Sequence, residues 1–89
     1  MQVESEKDFI ELRRHIDNYR KRFPMFRHDI AQIENIIEEH IKQYSIAMVY
    51  YRQTHKKHHL EKAQCEIEKI NQVMSTVGKI ELMALLSQA

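Results

Sequence analysis

The chain of 89 residues holds one glycine, one proline, one cysteine and no tryptophan. Such a shortage of turn residues excludes an all-β fold, which needs a turn between successive strands. The lone Cys65 has no second thiol in the chain for a disulfide, which predicts a reducing compartment. Net charge is also scarce, at +1 with histidine neutral, so no global field draws in nucleic acid or an anionic surface. No apolar run approaches the ~20 residues of a membrane span. The opening MQVESEKDF lacks an apolar signal-peptide core. An intracellular, cytoplasmic chain with no membrane span is the expectation.

What the chain does have is helix-forming sequence. From Met25 to Val77 it contains neither Gly nor Pro, enough for a rod of about 80 Å at ~1.5 Å per residue. A composition 43% hydrophobic and 30% charged belongs to a folded or coiled-coil chain, not a disordered one. Ser5-Glu6-Lys7-Asp8 ahead of Phe9 forms a capping-box pattern and predicts a helix start near residue 5.

From Phe9 a 3-4 alternation runs through Leu12, Ile16, Tyr19, Phe23, Phe26, Ile30, Ile33, Ile37, His40, Tyr44, Ala47 and Tyr51, with His40 alone not apolar. About six sustained heptads argue for coiled-coil-like packing. The aromatic seam suits a broad bundle or an irregular antiparallel pairing better than a two-stranded zipper. Pro24 interrupts the stripe and disfavours helical geometry at Phe23. A break with Pro24 opening a second helix is favoured over one kinked helix.

A second stripe comprises Ile46, Val49, Gln53, Lys56, Leu60, Ala63, Ile67, Ile70, Met74 and Val77. Its two-residue offset puts it about 200° around the helix from the first. The overlap at Tyr44–Tyr51 is apolar on every side, which predicts burial on every side. A turn is placed in Arg52–His59, with Thr54 as helix cap. Gly78 reads as a helix stop. The tail beyond it, with Ile80, Leu82, Met83, Leu85 and Leu86, must dock on the body, on a second copy or on another chain.

The fold class that follows is all-α: an elongated helical bundle of coiled-coil-like antiparallel helices with a short C-terminal helix. It is one domain over residues 1–89, standing alone or within a longer protein, with helices near 5–22, 25–51, 56–77 and 79–87. Gross apolar burial by this chain alone falls short of its conformational entropy, which predicts self-association or assembly with another helical chain.

Candidate functional residues fall in two groups. Arg13, Arg20 and Arg27 recur every seven residues, with Arg14, Lys21 and His28 in the next column. Guanidinium forks there suit an acidic partner or a phosphate backbone. Positions beside a seam also carry interhelical ion pairs, and Asp29, Glu34, Glu38, Glu39, Glu66 and Glu68 are available to them. Charge alternates in blocks along the chain, which favours internal pairing. The second group is the seam itself: Phe23, Phe26, Ile30, Ile33, Ile37, Tyr44, Tyr50 and Tyr51, read as a partner-binding surface because aromatic residues concentrate at interfaces. Ordinary core is the competing reading for the tyrosines.

His40, at a seam position, is expected to hydrogen-bond a facing side chain and set register. His55, His58, His59, Glu61 and Cys65 form a ligand-like cluster, but Lys56, Lys57 and Lys62 interleave it and no CxxC or HExxH pattern is present. No metal or cofactor is expected, and the cluster reads as a solvated basic face whose charge responds to mild acid. No nucleophile–base set or glycine-rich phosphate loop appears, so no enzyme is expected. The functional expectation is a helical protein–protein interaction module, a scaffold, adaptor or assembly subunit acting with itself or a partner chain. A small protein gripping nucleic-acid phosphates with the basic stripe is the alternative.

Overall fold

Two stripes of apolar residues, each confined to one side of a helix, pack against one another as antiparallel helices. The computed structural model describes residues 1–88, as α1 (Phe9–Arg22), α2 (Arg27–Thr54) and α3 (Lys57–Gln88). The all-α, elongated architecture holds, in a rod of 53 × 18 × 16 Å. α2 and α3 make a long hairpin, and α1 folds back along α2 so that Phe9 meets Tyr44 edge-to-face at 5.3 Å.

The capping box forms. Asp8 Oδ2 accepts from the backbone N–H of Glu4 at 2.9 Å and of Ser5 at 3.4 Å. Residues Glu6–Asp8 make a 3-10 turn, and the α-helix proper begins at Phe9. Ahead of it, the Val3 N–H donates to Asn71 Oδ1 and the Asn71 amide donates to the Val3 carbonyl, both at 2.8 Å. Reciprocal bonds of this kind satisfy the backbone of Val3, which is buried.

The break at Pro24 is real. Phe23 lies at φ −127°, ψ 66°, outside the helical region, as its proline neighbour requires. Pro24 then opens a 3-10 turn, Pro24–Phe26, where its missing N–H has no helical partner to lose.

The α2–α3 turn falls inside the expected segment but works differently. His55 adopts the left-handed conformation (φ 54°, ψ 21°), and its N–H donates to the Tyr51 carbonyl at 2.7 Å. In a chain without glycine here, histidine takes the position glycine usually fills, at a cost of about 1 kcal/mol. Thr54 does not cap α3. Its hydroxyl donates back to the Tyr50 carbonyl at 2.8 Å and accepts from the Lys56 N–H at 3.3 Å, closing α2 instead.

The stop expected at Gly78 is absent, and the helices expected at 56–77 and 79–87 are one. Gly78 does not take a positive φ, and the Glu, Leu, Met and Ala that follow it are strong helix formers which carry α3 onward. Local propensity on the far side outweighs one glycine.

The core joins Phe9, Leu12 and Ile16 with Ile30, Ile37, Ile41, Tyr44 and Ala47, and with Ala63, Ile67, Ile70, Met74, Val77 and Ala84. The second stripe is therefore split by the turn, and only its part from Leu60 onward packs inward. The expectation of all-round burial at residues 44–51 is not met: Ile46, Val49 and Tyr50 are exposed. α1 and α3 pack on one side of α2, and these residues point away from them.

Candidate functional site

The basic stripe is largely occupied by the protein's own carboxylates. Arg13 grips Glu38 with both arms of its fork, at 2.8 and 3.1 Å, tying α1 to α2. Arg20 bridges Asp17 in its own helix and Glu34 on α2. Arg14 pairs with Glu11 and Lys21 with Asp17, while Arg27 is exposed. Arg13 and Arg20, two turns apart on α1, meet Glu38 and Glu34, one turn apart on α2, in antiparallel order, the long side chains spanning the difference. The bond to Arg13 holds the Glu38 carboxyl below its ordinary value, against the opposing effect of burial.

The aromatic seam is mostly interior. Phe23, Ile30, Ile37 and Tyr44 are buried, and Phe26, Ile33 and Tyr51 are half-buried. Tyr50 alone of that set is exposed, its ring stacked on His59 at 5.4 Å. The chain thus takes up the surface that was expected to meet a partner, because α1 folds back over α2 instead of extending it.

Between α2 and α3 lies a charged centre that sequence reasoning had only half located. Glu66 is 1% exposed. Its carboxylate accepts from His40 Nδ1–H at 2.7 Å, Lys62 Nζ at 2.7 Å and Lys69 Nζ at 3.4 Å. Burial pushes the Glu66 carboxyl up, but the bonds from Lys62 and His40 outweigh it and hold the group below its ordinary value. His40 therefore does bond a facing side chain. Glu66 itself was legible: it sits three residues after Ala63 and four before Ile70, on the inward stripe.

A second tie joins α1 to α3. The Tyr19 hydroxyl donates to Glu81 Oε2 at 2.6 Å, and Arg22 donates to Glu81 Oε1 at 3.2 Å. Burial, with that bond and the Glu81 charge, pushes the Tyr19 phenol up to about 12. A hollow of about 270 Å³ opens beside it, lined by His15, Asn18, Tyr19 and Arg22.

The histidine-rich turn gathers no metal site: among the described residues no three His, Cys, Asp or Glu side chains converge. His58 and His59 have ring centroids 3.9 Å apart. Desolvation, then the charges of His58 and Lys56, hold His59 below its ordinary value.

The end of α3, the tail expected to dock on the body, on a second copy or on another chain, carries exposed apolar side chains. Leu82, Met83, Leu85 and Leu86 are all exposed, Leu86 at 67%, although Ala84 between them is buried. No charged residue follows Glu81. The Arg22–Glu81 pair sets this end of α3 beside the α1–α2 joint, where Met25 is also exposed. No helix among the described residues is long and apolar enough to cross a membrane. Comparison with protein-family models, with curated proteins and with solved structures finds no match to this chain.

Proposed function

We propose that this chain is a non-enzymatic helical protein–protein interaction module, a scaffold, adaptor or assembly subunit that pairs helices with a second copy or a partner chain. The observation that carries the reading is the uncharged end of α3, where Leu82, Met83, Leu85 and Leu86 stand exposed on a continuous helix. Leu82, Leu85 and Leu86 follow an i, i+3, i+4 spacing, which is how a helix presents anchors to a second helix. Contiguous apolar surface of this kind marks an association site. The seam at Phe23, Ile30, Ile37 and Tyr44 serves the interior, so the contact surface moves from the seam to the end of α3.

The nucleic-acid alternative is weaker, since Arg13 and Arg20 already hold Glu38 and Glu34 and present little free charge to phosphate. Light scattering after size exclusion, across a concentration series, tests the proposal. Wild type is expected to rise above monomer mass at physiological and at 1 M salt, while Leu82→Ser/Leu86→Ser stays monomeric with unchanged helix content. Equal masses for the two chains at every concentration contradict it.

A further inference from the structure

The 3-4 apolar register passes through the α1–α2 joint without a slip: Tyr19, Phe23, Phe26 and Ile30 keep the spacing that precedes and follows them. A closed hairpin does not require this. When α1 folds back on α2, the two helices are separate pieces, and the connection between them is free to take any length. An unbroken register is required only if α1 and α2 also exist as one straight helix, with a single stripe facing a single partner.

Two features of the closed form fit a helix that opens. The barrier to straightening is concentrated at the joint: Phe23 and Phe26 (φ −106°, ψ 18°) lie outside helical geometry, and Pro24 is the one residue there that resists a helix. The contacts that hold residues 1–22 on the hairpin are also separable from it. They are apolar side chains (Val3, Phe9, Leu12, Ile16), the surface pairs Arg13–Glu38, Arg20–Glu34, Arg22–Glu81 and Glu6–Arg52, and the Val3–Asn71 and Tyr19–Glu81 bonds. Exposed pairs such as Arg13–Glu38 contribute about 1 kcal/mol or less.

We infer that residues 1–22 exchange between two copies of this chain, α1 of each straightening onto its own α2 and docking on the α2–α3 hairpin of the other. Straightened, residues 9–54 form a helix of about 69 Å at 1.5 Å per residue. α1 runs antiparallel to α2 in the closed chain, so the exchanged arrangement sets the two long helices antiparallel, with both joints at the two-fold axis. Phe9 then meets Tyr44, and Arg13 meets Glu38, of the other copy. The occupant of the vacated groove is thereby fixed as a second α1, by continuity with the interface already present in one chain. The inference is independent of the exposed end of α3 and does not rest on it.

The test uses the full chain in a Cys65→Ser background, since Cys65 is exposed. Pro24→Ala removes the restriction on Phe23 and supplies the best helix former at the joint. One population carries Arg13→Cys and another Glu38→Cys; they are mixed, unfolded and refolded together, and treated with a short bis-maleimide. With Pro24→Ala, a covalent dimer that requires both cysteines is expected, at least tenfold above the level with Pro24 retained. A Pro24→Ala chain of monomer mass and native helix content at every concentration overturns the inference. So does a dimer without the mixed cross-link. If Pro24→Ala loses its helix content, the same mixed populations with Pro24 retained are refolded at the highest attainable concentration: a mixed cross-link supports exchange, and its absence overturns it. Association through the α3 end alone gives dimers without that cross-link, so the two proposals fail separately.

Discussion

His40 on α2 and Glu66 on α3 meet at 2.7 Å, and among the described residues theirs is the one contact in which a nearly fully buried carboxylate joins the two long helices. It pins the hairpin register, because a slip of one turn in either direction parts Glu66 from His40 and leaves it only the lysines of its own helix. A double-mutant cycle of His40→Ala and Glu66→Gln is expected to give a coupling on the order of 1–2 kcal/mol at neutral pH, read from urea denaturation. A coupling indistinguishable from zero contradicts the pinning role.

The same site sets the response to acid. Glu66 and Glu38 both titrate below the ordinary carboxyl value of 4.5 in the folded chain. A carboxyl depressed by folding contributes stability that is fully present above the unfolded value and is lost as pH falls through the folded one. Stability is therefore expected to hold from neutrality down to about pH 5 and to fall below about pH 4.5. Glu66→Gln, which has no such proton to take up, loses less over that window. Urea midpoints for both chains between about pH 3 and 7 give the comparison.

Gly78 is a helical interior residue, and beyond its chain neighbours and the adjacent helix backbone nothing lies within 4 Å of the place a Cβ would occupy. Gly78→Ala is expected to stabilise by about 0.5–1 kcal/mol, through the entropy of the unfolded chain and helix propensity. Thermal denaturation followed by circular dichroism measures it. Destabilisation would restore the reading of Gly78 as a helix stop.

Burial divides the aromatic and aliphatic seam. Ile37 is 0% exposed and Tyr50 is 51% exposed. Ile37→Ala is expected to cost about 2–5 kcal/mol, and Tyr50→Ala less than about 1 kcal/mol. Similar losses at both positions would contradict the present packing.

Much of this fold could be read from spacing alone. The heptad stripe located Phe9, Leu12, Ile16, Ile30, Ile37 and Tyr44 in the core, and Pro24 marked the first joint, because sterics at proline are local. The arginine spacing on α1 carried the pairing with Glu34 and Glu38. What was not legible depended on competition between signals. Gly78 looked like a stop, but the helix formers after it prevailed. Residues 44–51 looked buried on all sides, but a three-helix bundle covers only one side of α2. The seam residues Phe23, Ile30, Ile37 and Tyr44 are buried within the one chain, and a stripe records which residues want a neighbour, not whether that neighbour comes from the same chain. In the sequence Glu66 stands only as a partner for the arginines of residues 12–28; that it is buried and meets His40 shows only once the facing histidine and two lysines are in place.

The central claim is that the uncharged last turns of α3 are the surface that meets another helix. A concentration series of ¹H–¹⁵N correlation spectra tests it residue by residue. The account predicts shifts that grow with concentration at Leu82, Met83, Leu85, Leu86 and Met25, with Ile46, Val49 and Tyr50 unmoved. Shifts confined to Ile46, Val49 and Tyr50, or a spectrum that does not change with concentration, would contradict it.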